Sequence, residues 1–466
     1  MKKLLFFLLF ILIFAEFSLV YSQPNIIVLW EKPYNVSALK FTSDGQYLVT
    51  GGNSNSCSPY SCGNIKIWRF SDSSLVRSIS HPDMGSTNDI VLTPDGQTII
   101  SAHGSVYCQP NGGCYADKSS HFRSDLNSGN IISSLVNLSE IEVSLDLSPN
   151  GSYLAVGTTY NNNGDIKIFD TSNNTLIRTL DGHIYTTNTV KFTNDSQTLI
   201  SGGDDGKVKF WNVATGELIR TVVHGDYYDG GTDIQLALSP DGQFVASTGR
   251  GYDMKVKIWR ISDGALIRTF NIVPENSANG FNCIQYSPNG LYIACGLTTF
   301  RSDLGYFGKL QFWNVSNGTL AREYLETTGS PNTGVRSIAL SPSGNNHFAY
   351  GVSGKLKAAY TDLNLVTVTG TGTIGLEIPP SFKLYQNFPN PFNPTTKIAY
   401  DLPSIAHVSL KVFDILGNEV ETLVNELQNA GSYSISFNSS KLAGGIYFYK
   451  LETEGFSKAK KMVLIK

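Results

Sequence analysis

The stretch Ile234-Gln235-Leu236-Ala237-Leu238-Ser239-Pro240-Asp241-Gly242-Gln243-Phe244-Val245-Ala246 decides the fold. An alternating run enters a Ser-Pro-Asp-Gly turn and an apolar run leaves it. Asp-Gly between two such runs signals a tight hairpin, because glycine accepts the positive φ that the turn demands. The same turn recurs around Asp44-Gly45, Asp95-Gly96, Asn150-Gly151, Asp195-Ser196, Asn289-Gly290 and Ser343-Gly344. With Asp241-Gly242 that makes seven turns, about 45 to 55 residues apart, the period of a propeller blade with insertions.

Each hairpin is followed by a cleanly alternating run, such as Lys207-Val208-Lys209-Phe210-Trp211, Lys255-Val256-Lys257-Ile258-Trp259 or Lys309-Leu310-Gln311-Phe312-Trp313. A period of two with one apolar face marks a half-buried strand. A turn and a fourth strand come next, as in Leu176-Ile177-Arg178, Leu218-Ile219-Arg220 and Leu266-Ile267-Arg268. Four strands repeated seven times predict an all-β, seven-bladed β-propeller over residues 24–365. At these residues the chain resembles the WD-repeat family. The naming dipeptide survives only in drifted forms such as Trp68-Arg69, Trp211-Asn212 and Trp313-Asn314. In the fourth repeat, His183, Ser201, Asp205 and Trp211 match the family's structural hydrogen-bonding set. The resemblance implies a fold and leaves activity open, since a superfold hosts many functions.

The seventh repeat is degraded, with Ala358-Ala359-Tyr360 at the Trp position. Ile26-Ile27-Val28-Leu29-Trp30 precedes the first full repeat where a fourth strand would sit, and is expected to complete the last blade. Leu365-Val366-Thr367-Val368 is the rival for that place.

Lys2 and Lys3, the apolar run Leu4–Ala15, and Val20-Tyr21-Ser22 form the pattern of a secretory signal peptide over residues 1–22. The run falls short of the ~20 residues of a spanning helix, so no transmembrane anchor is expected after its removal. The net charge is −3, which leaves no basic excess for nucleic acid. Six cysteines agree with an oxidising destination. Their spacing favours local disulfides within Cys57/Cys62, Cys108/Cys114 and Cys283/Cys295, although other pairings remain open.

Residues 366–381 read as a Gly/Thr-rich linker and 382–466 as a small immunoglobulin-like β-sandwich, with strands expected at 397–400, 408–413, 420–423, 433–437, 446–451 and 458–465. Asn387, Pro389, Asn390, Pro391, Phe392, Asn393 and Pro394 open it. Phe413-Asp414-Ile415-Leu416-Gly417, then Gly444-Gly445-Ile446-Tyr447, and a basic tail with Lys458, Lys460 and Lys461 follow. This stretch resembles the C-terminal sorting domain of type IX secretion. The resemblance implies export through the periplasm, recognition by the type IX machinery at the outer membrane, and a secreted or surface-held product.

No catalytic motif, cofactor loop or metal set is apparent. Asp204-Asp205 falls in a tight turn, and His224 beside Asp226 reads as structural. What varies is loop length between second and third strands and between consecutive blades, connections that share one face of a ring. They carry Tyr60, Tyr107, Tyr115, Tyr160, Tyr185, Tyr227, Tyr228, Tyr252, Phe300, Tyr306 and Phe307 among Asn, Asp, Gly and Ser. Tyrosine supplies contact area at low entropic cost, so the expected role is binding an unknown extracellular protein or glycan, without a cofactor. The alternatives are a polysaccharide-cleaving propeller, with Asp226, Asp229, Asp233, Asp253 and Asp303 as candidate carboxylates, and a structural surface or matrix protein.

Overall fold

A computed structural model describes residues 26–465, except 55–61, 82–84, 109–113, 137–139, 160–162, 226–231, 250–253, 272–279, 302–304, 327–333, 344–345, 353, 367–380, 388, 404–405, 429–430 and 441. Residues 26–366 form seven four-stranded antiparallel sheets. Blades 1 to 6 take their strands in chain order. They begin with the inner strands Val36–Phe41, Ser86–Leu92, Ile141–Leu147, Thr187–Phe192, Gln235–Leu238 and Gly280–Tyr286. Blade 7 consists of Val335–Leu340, His347–Val352 and Lys355–Thr361, and its outer strand is Ile26–Lys32. The N-terminal strand therefore closes the ring, paired antiparallel from Ile26↔Thr361 to Lys32↔Leu356. Leu365 does not join that sheet. Its side chain is buried beside Leu363, and its carbonyl accepts from the Asn289 amide. Each inner strand touches the next, and the seventh touches the first.

The expected turns lie on one face. Six residues at the critical position have positive φ: Gly45, Gly96, Gly151, Ser196, Gly242 and Gly290. Ser196, at φ 60°, takes the conformation without glycine. A hydroxyl tightens each turn, for example Thr193 Oγ1 to Asp195 at 2.6 Å and Ser287 Oγ to Asn289 at 2.7 Å. The Asx acceptor also receives a later amide, which holds the local turn.

Neighbouring blades are stapled at the outer rim. Arg77 donates to the Ser128 carbonyl at 2.8 Å, Arg178 to Thr215 at 3.1 Å and Arg220 to Ile261 at 2.9 Å. Arg123 reaches the Thr171 carbonyl from the third strand of blade 2. Arg268 lays its aliphatic stem beside Gly318, next to the Phe270 ring that a Cβ there would meet first. Arg322 clamps Asp362 through two nitrogens, at 2.9 and 2.6 Å. Across the closure, Trp30 Nε1 donates to the Phe70 carbonyl at 2.9 Å and its ring packs tilted on Phe70. One side chain thus spans each of the seven joints. The outer pair of every blade also carries a register shift next to the Trp position or its equivalent, and bulges of this kind increase strand twist.

The C-terminal unit stacks a three-stranded sheet, Lys383–Leu384, Thr395–Leu402 and Gly431–Asn438, on a four-stranded one. The latter has the order Glu419–Gln428, Ala406–Phe413, Gly445–Thr453, Phe456–Leu464. Ile398, Tyr400, Leu410, Phe437, Tyr449 and Met462 fill the space between them. All six expected strands are present, most of them extended by a few residues.

One expectation fails in the propeller. Cys283 and Cys295 are thiols. Cys283 stands opposite Gly296 and Cys295 opposite Ile284. Adjacent residues of a strand point to opposite faces, so the two sulfurs lie on different sides of the sheet and cannot bond. Burial pushes the Cys295 thiol pKa well up.

Replacing Trp30 with Ala removes one joint. Denaturant unfolding should lose about 2 kcal/mol, less than for a fully buried Trp because this one is half-exposed. A loss under about 0.5 kcal/mol would show that the closing strand is not coupled to its neighbour.

Candidate functional site

Alternation of strand direction sends the connections of each blade to two faces. The Ser/Thr-Pro-Asp-Gly turns and the turns between third and outer strands share one face. The connections between second and third strands, and those between blades, share the other. On that second face blades 2 and 6 stand out. Their middle strands are Thr98–Cys108 with Cys114–Asp125, and Tyr292–Arg301 with Gly305–Asn314. The same pair in blade 4 is Thr198–Gly203 with Lys207–Asn212. At ~3.3 Å per residue, four or five extra residues raise each hairpin by roughly 15 Å.

This extended pairing alters the placement expected for several residues. Tyr107 and Tyr115, expected on loops, sit in strands directly opposite one another, with Cys108 opposite Cys114 one step further out. Tyr306 is in a strand opposite Phe300 and is 39% exposed. Phe307, expected among the loop aromatics, is buried. A longer hairpin keeps the two-residue alternation, so every other aromatic turns inward. Tyr185 lies on the connection into blade 4, half-buried, with φ 73°. Cys62 begins a strand opposite Ser54. Tyr60, Tyr160, Tyr227, Tyr228, Tyr252 and Cys57 lie outside the described residues, as do residues 1–25 with the expected signal peptide.

Beneath this face each blade carries a buried polar set. At blade 4, His183, from the outer strand Thr175–Ile184 of blade 3, sets its Nδ1 2.8 Å from Asp205 Oδ1 and its Nε2 2.8 Å from Ser201 Oγ. Trp211 Nε1 donates to the same Oγ at 2.9 Å. Burial lowers the His183 pKa, against the pull of Asp205. Burial alone would raise Asp205, but hydrogen bonds from His183 and the Lys207 amide hold it below the usual carboxylate range. Blade 5 repeats the set with His224 on Ser247 at 2.7 Å and Trp259 on Ser247 at 2.7 Å. In blade 1 Trp68 donates to Thr50 at 3.1 Å.

Other blades solve the same problem differently. At blade 7 the buried Glu326 carboxylate, from the outer strand Leu320–Glu326 of blade 6, takes Tyr350 and Lys357. In the second joint, His121 Nδ1 and Glu142 Oε1 are 3.0 Å apart with both side chains fully buried. Burial opposes protonation of His121, yet its pairing with Glu142 raises its pKa, and burial raises that of Glu142. These groups fasten strands from inside and are closed to a substrate.

No group of three or more His, Cys, Asp and Glu among the described residues is arranged to hold a metal. Asp204 accepts from Asn188 at 2.6 Å and from the Asp233 amide at 3.2 Å. Asp233 accepts from Gln235 at 2.9 Å. Both are therefore engaged locally. Asp226, Asp229, Asp253 and Asp303 lie outside the described residues. A charged ring at the axis, Lys40, Asp89, Asp146 and Lys191, carries no motif in the sequence. It sits on inner strands at positions where alternation faces the channel, which was the available signal.

The export motif is largely internal. Asn387 is buried; its Oδ1 accepts from Gln386 Nε2 at 2.8 Å, and its Nδ2 donates to Pro389 O at 3.1 Å and Thr396 Oγ1 at 3.0 Å. Its amide donates to the Tyr449 hydroxyl at 2.8 Å, which donates on to Tyr385 O at 2.8 Å. Burial raises the Tyr449 pKa to about 12. Asn390 Oδ1 accepts from the Val463 amide at 2.9 Å, and Phe392 is buried against Phe437. Pro389, Pro391, Asn393 and Pro394 are exposed around this core. Gly417 closes the tip 414–418 at φ 85°, where Ile415 and Leu416 are 68% and 83% exposed. Gly445 opens an inner strand, and Lys458, Lys460 and Lys461 lie on an edge strand.

Removing the Ser201 hydroxyl (Ser201→Ala) leaves Trp211 Nε1–H and His183 Nε2 without their shared partner and should cost about 1–3 kcal/mol. Because the folded-state pKa of Asp205 is depressed, its contribution is present above about pH 4 and fades as pH falls through the folded value. The stability gap between wild type and Asp205→Asn should therefore narrow in acid. A gap that widened would contradict the assignment.

Comparison with known proteins agrees with this geometry. Residues 28–69, 174–212 and 221–260 match the family model for the WD domain, G-beta repeat. Residues 386–466 match that for the secretion system C-terminal sorting domain. Among curated proteins, the chain is 24% identical over 302 residues to Autophagy-related protein 16 of Arabidopsis thaliana, covering 62% of this chain and 50% of that protein. It is 29% identical over 171 residues to the Periodic tryptophan protein 2 homolog of Dictyostelium discoideum, covering 36% and 17%. It is 40% identical over 78 residues to the WD repeat-containing protein 89 homolog of the same organism, covering 17% and 21%. The chain thus spans half or less of these relatives. It carries WD repeats folded as a propeller and, at its C-terminal end, a type IX secretion sorting domain.

Proposed function

We propose that this chain is an extracellular binding scaffold, delivered by its sorting domain, which holds a protein or glycan partner on the face bearing the long connections. The observation that carries the reading is the pair of raised hairpins in blades 2 and 6 on that face. Loops and hairpins on a rigid scaffold carry function disproportionately, and hairpins standing above a ring form walls around its centre. Tyr306 and Tyr185 lie on this face, and in the sequence Tyr60, Tyr160, Tyr227, Tyr228 and Tyr252 fall between strands that end toward it. A disulfide between Cys108 and Cys114, which stand opposite each other, would stiffen the blade 2 hairpin at its tip. Closing so short a loop contributes only about 2 kcal/mol, so its use would be pre-organisation of the contact surface.

The sorting domain matches an export module, which supports passage through the outer membrane by the type IX route. The signal-peptide pattern of residues 1–22 supports a prior step across the inner membrane. Release or retention at the surface follows from processing of the same domain. The buried Asn387 and Phe392 shape this unit, while the exposed turn 414–418 and the lysines of the last strand supply the groups that machinery can touch.

Shortening the blade 2 hairpin by removing residues 105–117 and rejoining with a Gly-containing turn leaves the four-strand blade intact. Pull-down from the surroundings of the producing cell, with a glycan array alongside, should show a partner lost in this variant with the thermal midpoint little changed. Equal capture by the shortened chain would refute the face. Turnover of a polysaccharide abolished by one Asp→Asn change would replace binding with catalysis. Deleting residues 382–466 should leave the propeller in the periplasm; its appearance outside would refute the export reading.

A further inference from the structure

The raised hairpin of blade 2 outruns both of its neighbouring strands. Its sheet runs from the inner strand Ser86–Leu92 through Thr98–Cys108 and Cys114–Asp125 to the outer strand Ile131–Val136. The inner strand starts at Ser86, opposite Gly104. The outer strand ends at Val136, opposite Ser120. Beyond those points Ser105–Cys108 pairs, among the described residues, with Cys114–Lys118 alone. The hairpin therefore shows two edges with no described strand beside them, one turned toward the axis and one toward the rim.

The two connections that border this hairpin are too short to climb its sides. Residues 82–85 enter the inner strand and residues 137–140 leave the outer one. Each must cross from the rim of one blade to the axis of the next, about three strand spacings or 14 Å. Four residues span at most roughly that distance. In blade 6 the corresponding connections, 272–279 and 327–334, are twice as long. The two edges of the blade 2 hairpin also differ. The rim edge carries Asp117 as an extra residue between Ala116 and Lys118, where the register shifts. A bulge and adjacent charges are devices by which natural proteins blunt an exposed edge. The axial edge, Ser105-Val106-Tyr107-Cys108, has neither a charge nor a proline, and is left open to pairing.

We propose that the axial edge Ser105–Cys108 takes an extended segment of an extracellular protein as an added strand. This rests on the binding-face reading and names the partner of that face as polypeptide. Along a strand, alternate residues turn both N–H and C=O to the same edge, so about two of these four face the axis, roughly 6.6 Å apart. An extended peptide repeats its own donors and acceptors at that spacing. A glycan offers hydroxyls and ring faces without that alternation. Main-chain pairing supplies affinity in strand addition, and side chains at alternate positions supply specificity. The added strand would lie on the axial side of the hairpin, within the walls raised by blades 2 and 6.

The test pans a phage-displayed library of random linear decapeptides on the full chain, with the chain lacking residues 105–117 as the counter-selection. Selected peptides should bind the full chain saturably and the shortened chain at least about tenfold more weakly. N-methylation of alternate peptide bonds should weaken binding about tenfold, and methylation of the intervening bonds by less than about twofold. Bound peptide should slow hydrogen exchange of the axis-facing amides within Ser105–Cys108. Failure to select such peptides, N-methylation without an alternating effect, or unchanged exchange at 105–108 would overturn the added strand. A glycan held by the full chain and lost on shortening, with no such peptide, would also overturn it while leaving the binding face in place. The N-methylation and exchange measurements use the intact chain, so they decide the matter even where the shortened chain fails to fold.

Discussion

The pairing of Ile26–Lys32 with Lys355–Thr361 is the contact on which the rest depends. It joins residues more than three hundred positions apart and turns an array of hairpins into a ring. A row of blades without it would leave an unpaired sheet edge at Lys355–Thr361, the kind of edge natural proteins cover. Closure also gives meaning to the faces. Only in a ring do all the second-to-third and blade-to-blade connections point one way and surround one centre. The strand is fastened twice, by its ladder to blade 7 and by Trp30 on blade 1, so both sides of the seam share it.

The remaining joints repeat that logic with a different residue. An arginine from one blade reaches the turn of the next, and its stem lies on a glycine there: Arg77 on Gly129, Arg178 on Gly216, Arg220 on Gly264 and Arg268 on Gly318. These glycines have φ between 72° and 80°, which strains any other residue, and a Cβ would crowd the arginine stem at Gly129, Gly216 and Gly264 and the Phe270 ring at Gly318. The Leu-x-Arg fourth strands and the turn glycines are therefore one device seen from two blades. At the axis a second set of staples, Asp89, Asp146 and Gln285 to amides of the next inner strand, ties the ring from within.

Much of this was legible in the sequence. The turns could be read because hydroxyl, Asx and glycine each have a local reason to be there, and the closing strand because a blade lacked its fourth member. Legibility failed where a property depends on register. Cys283 and Cys295 flank a turn closely enough to suggest a bridge, but one position of offset across the ladder separates them by a whole sheet. The blade 2 and blade 6 hairpins read as loops because Gly, Ser and Tyr are ambiguous between loop and strand, and only the partner strand settles it. The polar set was visible in blade 4, where His183, Ser201 and Trp211 stand in recognisable form. It was invisible in blade 7, where Glu326, Tyr350 and Lys357 satisfy the same geometry with different chemistry. The sorting unit shows the reverse case: its motif was plain, but which of its residues are buried was not, and Asn387 and Phe392 prove to be framework.

Native-state hydrogen exchange at the amides of residues 26–32 tests the closed ring most directly. If the N-terminal strand is an integral member of blade 7, these amides exchange only through the same opening that exposes residues 355–361, with matching protection. If they exchange freely while 355–361 stay protected, the strand is an adornment, the ring is open at one seam, and the shared face has no structural basis.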